Sequence, residues 1–71
     1  MYRFLAVIEQ AKNNFSAYCP DLPGCIATGS TRKEVEKNMV EAIELHIRGM
    51  KEEKLPIPQG TASAEILAIP A

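Results

Sequence analysis

Hydrophobic and polar positions along the 71-residue chain change their period near residue 31, and the change separates strands from a helix. Before it, aromatic and β-branched residues recur in short runs bounded by turn residues, which is typical of strands. The polar turn Lys12-Asn13-Asn14 joins the first two runs as a hairpin. Three strands are therefore predicted, at Tyr2 to Glu9, Phe15 to Cys19 and Cys25 to Gly29.

Residues 31–54 follow a helical period instead. Thr31 and Glu34 fit a capping box, in which a hydroxyl and a carboxylate satisfy free N–H groups at the start of a helix. Pro56 and Pro58 cannot continue a helix, so we expect it to end by about residue 54. Residues at helical spacing form one mainly apolar stripe on this helix: Val35, Met39, Ala42, Ile43, His46 and Met50.

A fourth strand is predicted beyond the prolines, from Thr61 to Ile69. The element order is then β-β-β-α-β, an α+β arrangement. A right-handed crossover through the helix would place the fourth strand beside and parallel to the first. We therefore predict one domain over residues 1–71, with a four-stranded sheet in the order 3-2-1-4 and one long helix on one face.

One helix covers only one face of such a sheet, yet the first and fourth strands are apolar on both sides. An uncovered apolar face is a site for a partner or for self-association. We expect at least a dimer, and coverage of that face by loops and the C-terminal segment is the alternative. The alternating residues are Phe4, Ala6 and Ile8 against Leu5 and Val7, and Ile66 against Leu67 and Ile69.

The most tightly specified segment is the corner Tyr18-Cys19-Pro20-Asp21-Leu22-Pro23-Gly24-Cys25 between the second and third strands. Its prolines fix φ and lack N–H donors, while its glycine tolerates a positive φ. A rigid corner of this kind is expected to expose the carboxylate of Asp21 and the side chain of Leu22, with Tyr18 nearby as an aromatic anchor. These three residues are the predicted partner-binding residues.

Composition and charge exclude several classes of function. The net charge of −1 and a pI near 5.7 argue against a nucleic-acid-binding surface, which needs clustered positive charge. No apolar run is long enough for a signal peptide or approaches the roughly 20 residues that span a bilayer. We therefore expect neither a signal peptide nor membrane association.

The residues capable of catalysis or metal binding are few and scattered. Cys19 and Cys25 are five residues apart and the chain has one histidine, whereas zinc usually takes four ligands. We interpret the cysteines as small, half-buried side chains on neighbouring strands, and a disulfide or half of a metal site are the alternatives. His46 lies on the apolar stripe and is expected to pack at the sheet edge. No enzyme activity, catalytic residue, metal or cofactor is predicted.

Together these motifs resemble those of the HicB-like antitoxins of type II toxin-antitoxin systems. The resemblance begins with Phe15 to Cys25 and continues through residues 27–31, 41–47, 49–50 and 55–58, in the same order over about residues 2–69. It implies a partial ribonuclease-H-like fold without nuclease activity, a cytoplasmic location and a dimer or larger assembly. It also implies a partner, HicA, a small basic toxin that cleaves mRNA and that HicB blocks.

Many HicB proteins add a C-terminal DNA-binding domain, and this sequence resembles only the N-terminal-type domain. Direct DNA binding is therefore not expected. The functional hypothesis is an antitoxin that occludes a HicA-like toxin and forms a homo-oligomer, either a dimer or a tetramer. The alternative is a homo-oligomeric scaffold or small-ligand-binding module with no toxin partner.

Overall fold

The computed structural model describes all 71 residues, with three strands followed by one helix. The elements are β1 (Val7–Gln10), β2 (Phe15–Tyr18), β3 (Ile26–Gly29) and α1 (Arg32–Glu52). The strands form one antiparallel sheet in the order β1-β2-β3, and α1 packs across β3 and β2 on one face. The three predicted strands and the helix are confirmed, although β1 is shorter than predicted.

The core lies between the sheet and α1. Ile8, Ala17 and Ala27 are register partners, and this row packs beneath the helix. Gly29 lets the first helical turn approach β3 closely, because a Cβ there would lie 2.5 Å from the backbone nitrogen of Val35. The core is small, which is usual for a domain of this length. Its fully buried apolar residues are Ala17, Cys19, Leu22, Cys25, Val35 and Met39.

The start of α1 confirms Thr31 as the N-cap. The Glu34 N–H donates to Thr31 Oγ1 at 3.0 Å. The Glu34 carboxylate accepts instead from the N–H of Ser30 at 2.7 Å, one residue earlier than the capping box predicts. Two N–H groups at the helix start are satisfied in this way.

The helix ends before the prolines rather than at them. Lys54 adopts a φ of 57°, and its N–H donates to the carbonyl of Lys51 at 3.0 Å. The N–H of Leu55 donates to the carbonyl of Met50 at 2.9 Å. These bonds form a Schellman motif, with a lysine where glycine is usual.

No helix of the structure combines the length and apolar character that crossing a membrane requires.

The predicted four-stranded sheet in the order 3-2-1-4 is wrong. Thr61–Ile69 forms no strand, and residues 56–71 make no backbone–backbone hydrogen bond. After α1 the chain runs beside residues 1–4, where Gly60 directly contacts the carbonyl of Arg3. The hydroxyl of Thr61 and the N–H of Ala62 then donate to the carboxylate of Asp21 in the corner. These bonds direct the chain away from the position beside β1 that a fourth strand would occupy.

The N-terminal half of the predicted first strand is also unpaired. Extending the register beyond Val7–Tyr18 would place Leu5 opposite Pro20, which has no N–H to donate. The N–H of Cys19 is already bonded across the corner to Cys25. Pairing with β2 therefore starts only at Val7.

Candidate partner-binding site

The proline corner is closed by three backbone hydrogen bonds. Cys19 N–H donates to the Cys25 carbonyl at 3.2 Å, Leu22 N–H to Cys19 at 3.1 Å, and Cys25 N–H to Leu22 at 3.1 Å. Gly24 has a φ of 83°, which glycine adopts without strain. The corner predicted from the prolines is present, and backbone hydrogen bonds between Cys19, Leu22 and Cys25 hold its shape.

Leu22 points inward, so its predicted exposure is wrong. Its side chain is 1% exposed and belongs to the core beneath the helix. The two hydrogen bonds that flank it, from Leu22 to Cys19 and from Cys25 to Leu22, fold the backbone into consecutive tight turns. Leu22 therefore supports the corner from below.

Asp21 is only partly exposed, and its carboxylate is engaged within the chain. One oxygen accepts from the hydroxyl of Thr61 at 3.3 Å, and the other accepts from the N–H of Ala62 at 3.1 Å. The carboxylate thus fastens the C-terminal segment to the corner. Because about 40 residues of sequence separate the partners, no local pattern indicated this contact.

Tyr18 lies on the sheet face opposite α1, where its side chain is 43% exposed. Its register partners on this face are Val7 of β1 and Ile26 of β3, and Ile26 is 69% exposed. We call Val7, Tyr18 and Ile26 the open-face row. Sequence reasoning missed Ile26, although its place between the inward-facing Cys25 and Ala27 was a signal.

A polar row lies next to the open-face row. It consists of the register partners Glu9, Ser16 and Thr28. Glu9 is the single charged side chain that the strands place on this face, and they place no lysine or arginine there. The open face is therefore an apolar patch with a weakly acidic margin.

The two cysteines are free, and both are buried rather than half-buried as predicted. Burial raises the pKa of the Cys25 thiol, and the neighbouring Cys19 thiol raises it further. Buried thiols of raised pKa are poor nucleophiles and poor metal ligands. No group of three His, Cys, Asp or Glu side chains lies where it could hold a metal ion.

His46 is half-buried in a shallow groove beside β3. Gly24, Cys25 and Ile26 line the same groove, together with apolar residues of α1. This position agrees with the predicted packing of His46 at the sheet edge.

Comparisons with known proteins find similar sequences among the UPF0150 proteins. The chain is 33% identical over 70 residues to a UPF0150 protein of Synechocystis sp., covering 97% of this chain and 89% of that protein. It is 38% identical over 50 residues to a UPF0150 protein of Helicobacter pylori, covering 70% and 69%.

A solved structure described as the HicA3 and HicB3 toxin-antitoxin complex contains a chain of similar fold. The TM-score is 0.71 at 30% identity, covering 84% of this chain and 70% of that one. The family model for the "HicB_like antitoxin of bacterial toxin-antitoxin system" matches residues 4–71. Because that match takes in nearly the whole chain, the protein belongs to the HicB-like antitoxin family.

Proposed function

We propose that this protein is an antitoxin that binds a small basic HicA-type toxin and blocks it by covering its RNA-binding surface. Membership of the family and the likeness to a chain of the HicA3 and HicB3 complex support a toxin partner. The observation that carries the proposal is the exposed open-face row on a sheet that the helix covers from one side only.

The open-face row has the character of a contact surface. Aromatic side chains beside aliphatic ones often dominate the binding energy of an interface, and Tyr18 lies between Val7 and Ile26. The acidic margin at Glu9 suits a basic toxin, because complementary charge speeds and orients association. A basic side chain on this face would oppose the same partner.

The three residues predicted for partner binding then have different roles. Tyr18 contacts the toxin directly. Leu22 acts through the corner, because its side chain is buried and holds the end of β2 in place. Asp21 offers its remaining exposed surface at the edge of the interface while its oxygens hold Thr61 and Ala62.

The proposed action is binding alone, without catalysis or a cofactor. It takes place in the cytoplasm, where the mRNA substrate of such a toxin is found. Direct DNA binding forms no part of the proposal, since the strands place one acidic side chain and no basic one on the open face.

Co-expression with a small basic HicA-type toxin tests the proposal. Growth rescue together with co-purification is the expected result. Tyr18→Ala with Ile26→Glu should abolish both, while Glu41→Ala on the exposed side of α1 serves as the matched control and should change neither. If the double variant still rescues growth and co-purifies, the open-face row is not the toxin site. A protein that neither rescues nor co-purifies in its natural form would instead favour a scaffold without a toxin.

A further inference from the structure

The open-face row is too small to hold a partner by itself. A specific protein–protein interface buries about 800 Å² on each partner, whereas a large aromatic side chain supplies about 150–250 Å². The row has one aromatic and two aliphatic side chains, and Val7 at its β1 end is only partly exposed. Ile26 at its β3 end is 69% exposed. A contact surface that includes the row must therefore continue beyond it, and the row is open at β3.

An apolar surface continues from Ile26 across the edge of β3 to α1. Ile26 and Leu45 line the groove beside β3, and Leu45 also lines the next groove along the helix, together with Leu55. His46 is half-buried and lines both grooves. Leu45 is 66% exposed and Leu55 is 48% exposed. We call Ile26, Leu45, His46 and Leu55 the edge strip.

The backbone of β3 is open at one point of the edge strip. The N–H of Cys19 donates to the carbonyl of Cys25, so Cys25 directs its carbonyl toward the preceding strand. Hydrogen-bonded and non-bonded pairs alternate along antiparallel strands, so the backbone groups of Ile26 and Thr28 point to the free edge. The Thr28 carbonyl is occupied, because Asn38 Nδ2 donates to it at 2.8 Å. The N–H and the carbonyl of Ile26 have no partner within the chain.

Charge distinguishes the two flanks of α1. No lysine or arginine lines the two grooves of the edge strip, and Glu53 is the single acidic side chain there. On the opposite flank, Arg48 and Lys51 outnumber Glu44 in a depression beside the N-terminal segment. Because complementary charge orients association, a basic partner fits the flank beside β3 better than the flank that carries Arg48 and Lys51.

We propose that the toxin-binding surface includes the edge strip, so that a basic HicA-type toxin covers the open-face row and continues over β3 onto α1. This inference rests on the proposed function, because it assumes the same partner. Ile26 lies at the centre of the contact, and a polar group of the toxin bonds to its free backbone. Leu45 and Leu55 are removed from water in the complex. The helix thereby forms part of the partner surface as well as the cover of the core.

Titration of a purified HicA-type toxin into variants of the full-length chain tests the proposal. Leu45→Lys removes an apolar contact and places a positive charge against a basic partner, so it should weaken binding by about tenfold. Val40→Lys is the matched control, because Val40 is 57% exposed on the opposite flank of the same helix and the change adds the same charge. At physiological ionic strength charges are screened beyond about 8 Å, so this control should weaken binding by less than about twofold. Both variants should keep the circular dichroism spectrum of the natural protein.

Hydrogen exchange in the complex of the natural protein with the toxin gives a second measurement. The Ile26 N–H should exchange at least about tenfold more slowly in the complex than in the free protein, because a hydrogen-bonded amide is protected. The Ile8 N–H is the control. It points to the free edge of β1, at the other side of the sheet, and its exchange should not change.

The outcomes separate this proposal from the proposed function. Equal effects of Leu45→Lys and Val40→Lys, or unchanged exchange at Ile26, would overturn the edge strip as toxin surface while the natural protein still binds toxin. A natural protein that binds no HicA-type toxin would overturn both proposals. Slow exchange at Ile26 in the toxin-free protein that becomes faster on dilution would assign this edge to a second copy and overturn the proposal.

Discussion

The backbone N–H of Ala62 donates to the carboxylate of Asp21 at 3.1 Å, across 41 positions of sequence. This contact joins the proline corner to the segment that follows the helix. The contact gives the corner a structural role. The sequence pattern did not indicate this role, because it predicted that the carboxylate of Asp21 is exposed. The contact also fixes where residues 63–71 leave the body of the protein.

Removing the Asp21 carboxylate should release this segment. Asp21→Ala is expected to lower the free energy of unfolding by about 1 kcal/mol, since hydrogen bonds to a partly exposed charged acceptor are lost. Hydrogen exchange at the Ala62 amide should accelerate much more than exchange in α1. The control Glu36→Ala breaks only the exposed Arg32–Glu36 pair, so it should cost less than about 0.5 kcal/mol. Unchanged protection of Ala62 would contradict the anchoring role.

Leu22→Ala should destabilise the fold itself. A fully buried leucine replaced by alanine costs about 2–5 kcal/mol, because a cavity is left in the core. Such a loss is large for a domain of this length, and urea unfolding monitored by circular dichroism would measure it. Leu45→Ala, at a site 66% exposed, is the control and should change stability by less than about 0.5 kcal/mol. Equal effects of the two substitutions would show that Leu22 is not a core residue in solution.

Lys54→Gly should stabilise the end of the helix. Lys54 holds a φ of 57°, a region that costs an L-residue about 1 kcal/mol and glycine almost nothing. Glycine also has more conformational entropy in the unfolded chain, which offsets part of this stabilisation. We therefore expect the free energy of unfolding to rise by a few tenths of a kcal/mol, about 0.5 at most. Glu52→Gly, inside the last helical turn, should instead destabilise by up to about 1 kcal/mol. Thermal unfolding of both variants distinguishes the two positions, and a loss of stability in Lys54→Gly would be the contrary result.

Stability should fall as the pH rises through the alkaline range, and Cys25 should contribute to the fall. Its pKa in the folded state is raised by burial and by Cys19. Above about pH 8.5, where an exposed thiol ionises, the unfolded chain loses this proton while the folded chain keeps it. The Cys25 thiol therefore makes its full contribution to stability below about pH 8.5. This contribution is lost as the pH rises toward the pKa of the thiol in the folded state.

Urea unfolding at pH 8 and pH 10 under reducing conditions measures this effect. Cys25→Ala should show a smaller decrease between the two pH values than the natural protein, whatever its stability at pH 8. The difference between the two proteins isolates the contribution of Cys25 and is the informative quantity. Identical decreases would mean that the Cys25 thiol ionises equally in both states.

Local features of the fold were predictable because their causes are local. The helix follows from a 3.6-residue period and from Thr31, whose hydroxyl caps a donor only three residues away. The corner follows from two prolines and Gly24, whose backbone preferences do not depend on distant residues. The second strand follows from a short apolar run after a polar turn, and β2 spans Phe15–Tyr18.

The candidate site was only partly predictable. Tyr18 lies at the end of β2 beside the corner. It is exposed, whereas its neighbour Ala17 is buried. Leu22 was placed on the wrong side, because its direction depends on two hydrogen bonds and on the core above it. Ile26 joins the site only through the register between β2 and β3.

The sequence by itself therefore determined the period of each element, the ends of the helix and the stiffness of the proline corner. The tertiary structure decided the number of strands in the sheet, the direction of Leu22 and the partner of Asp21. The physical reason is the range of the interactions. Caps, turns and periodicity act within a few residues, whereas the path of residues 57–62 depends on contacts with Arg3 and Asp21 far away along the chain.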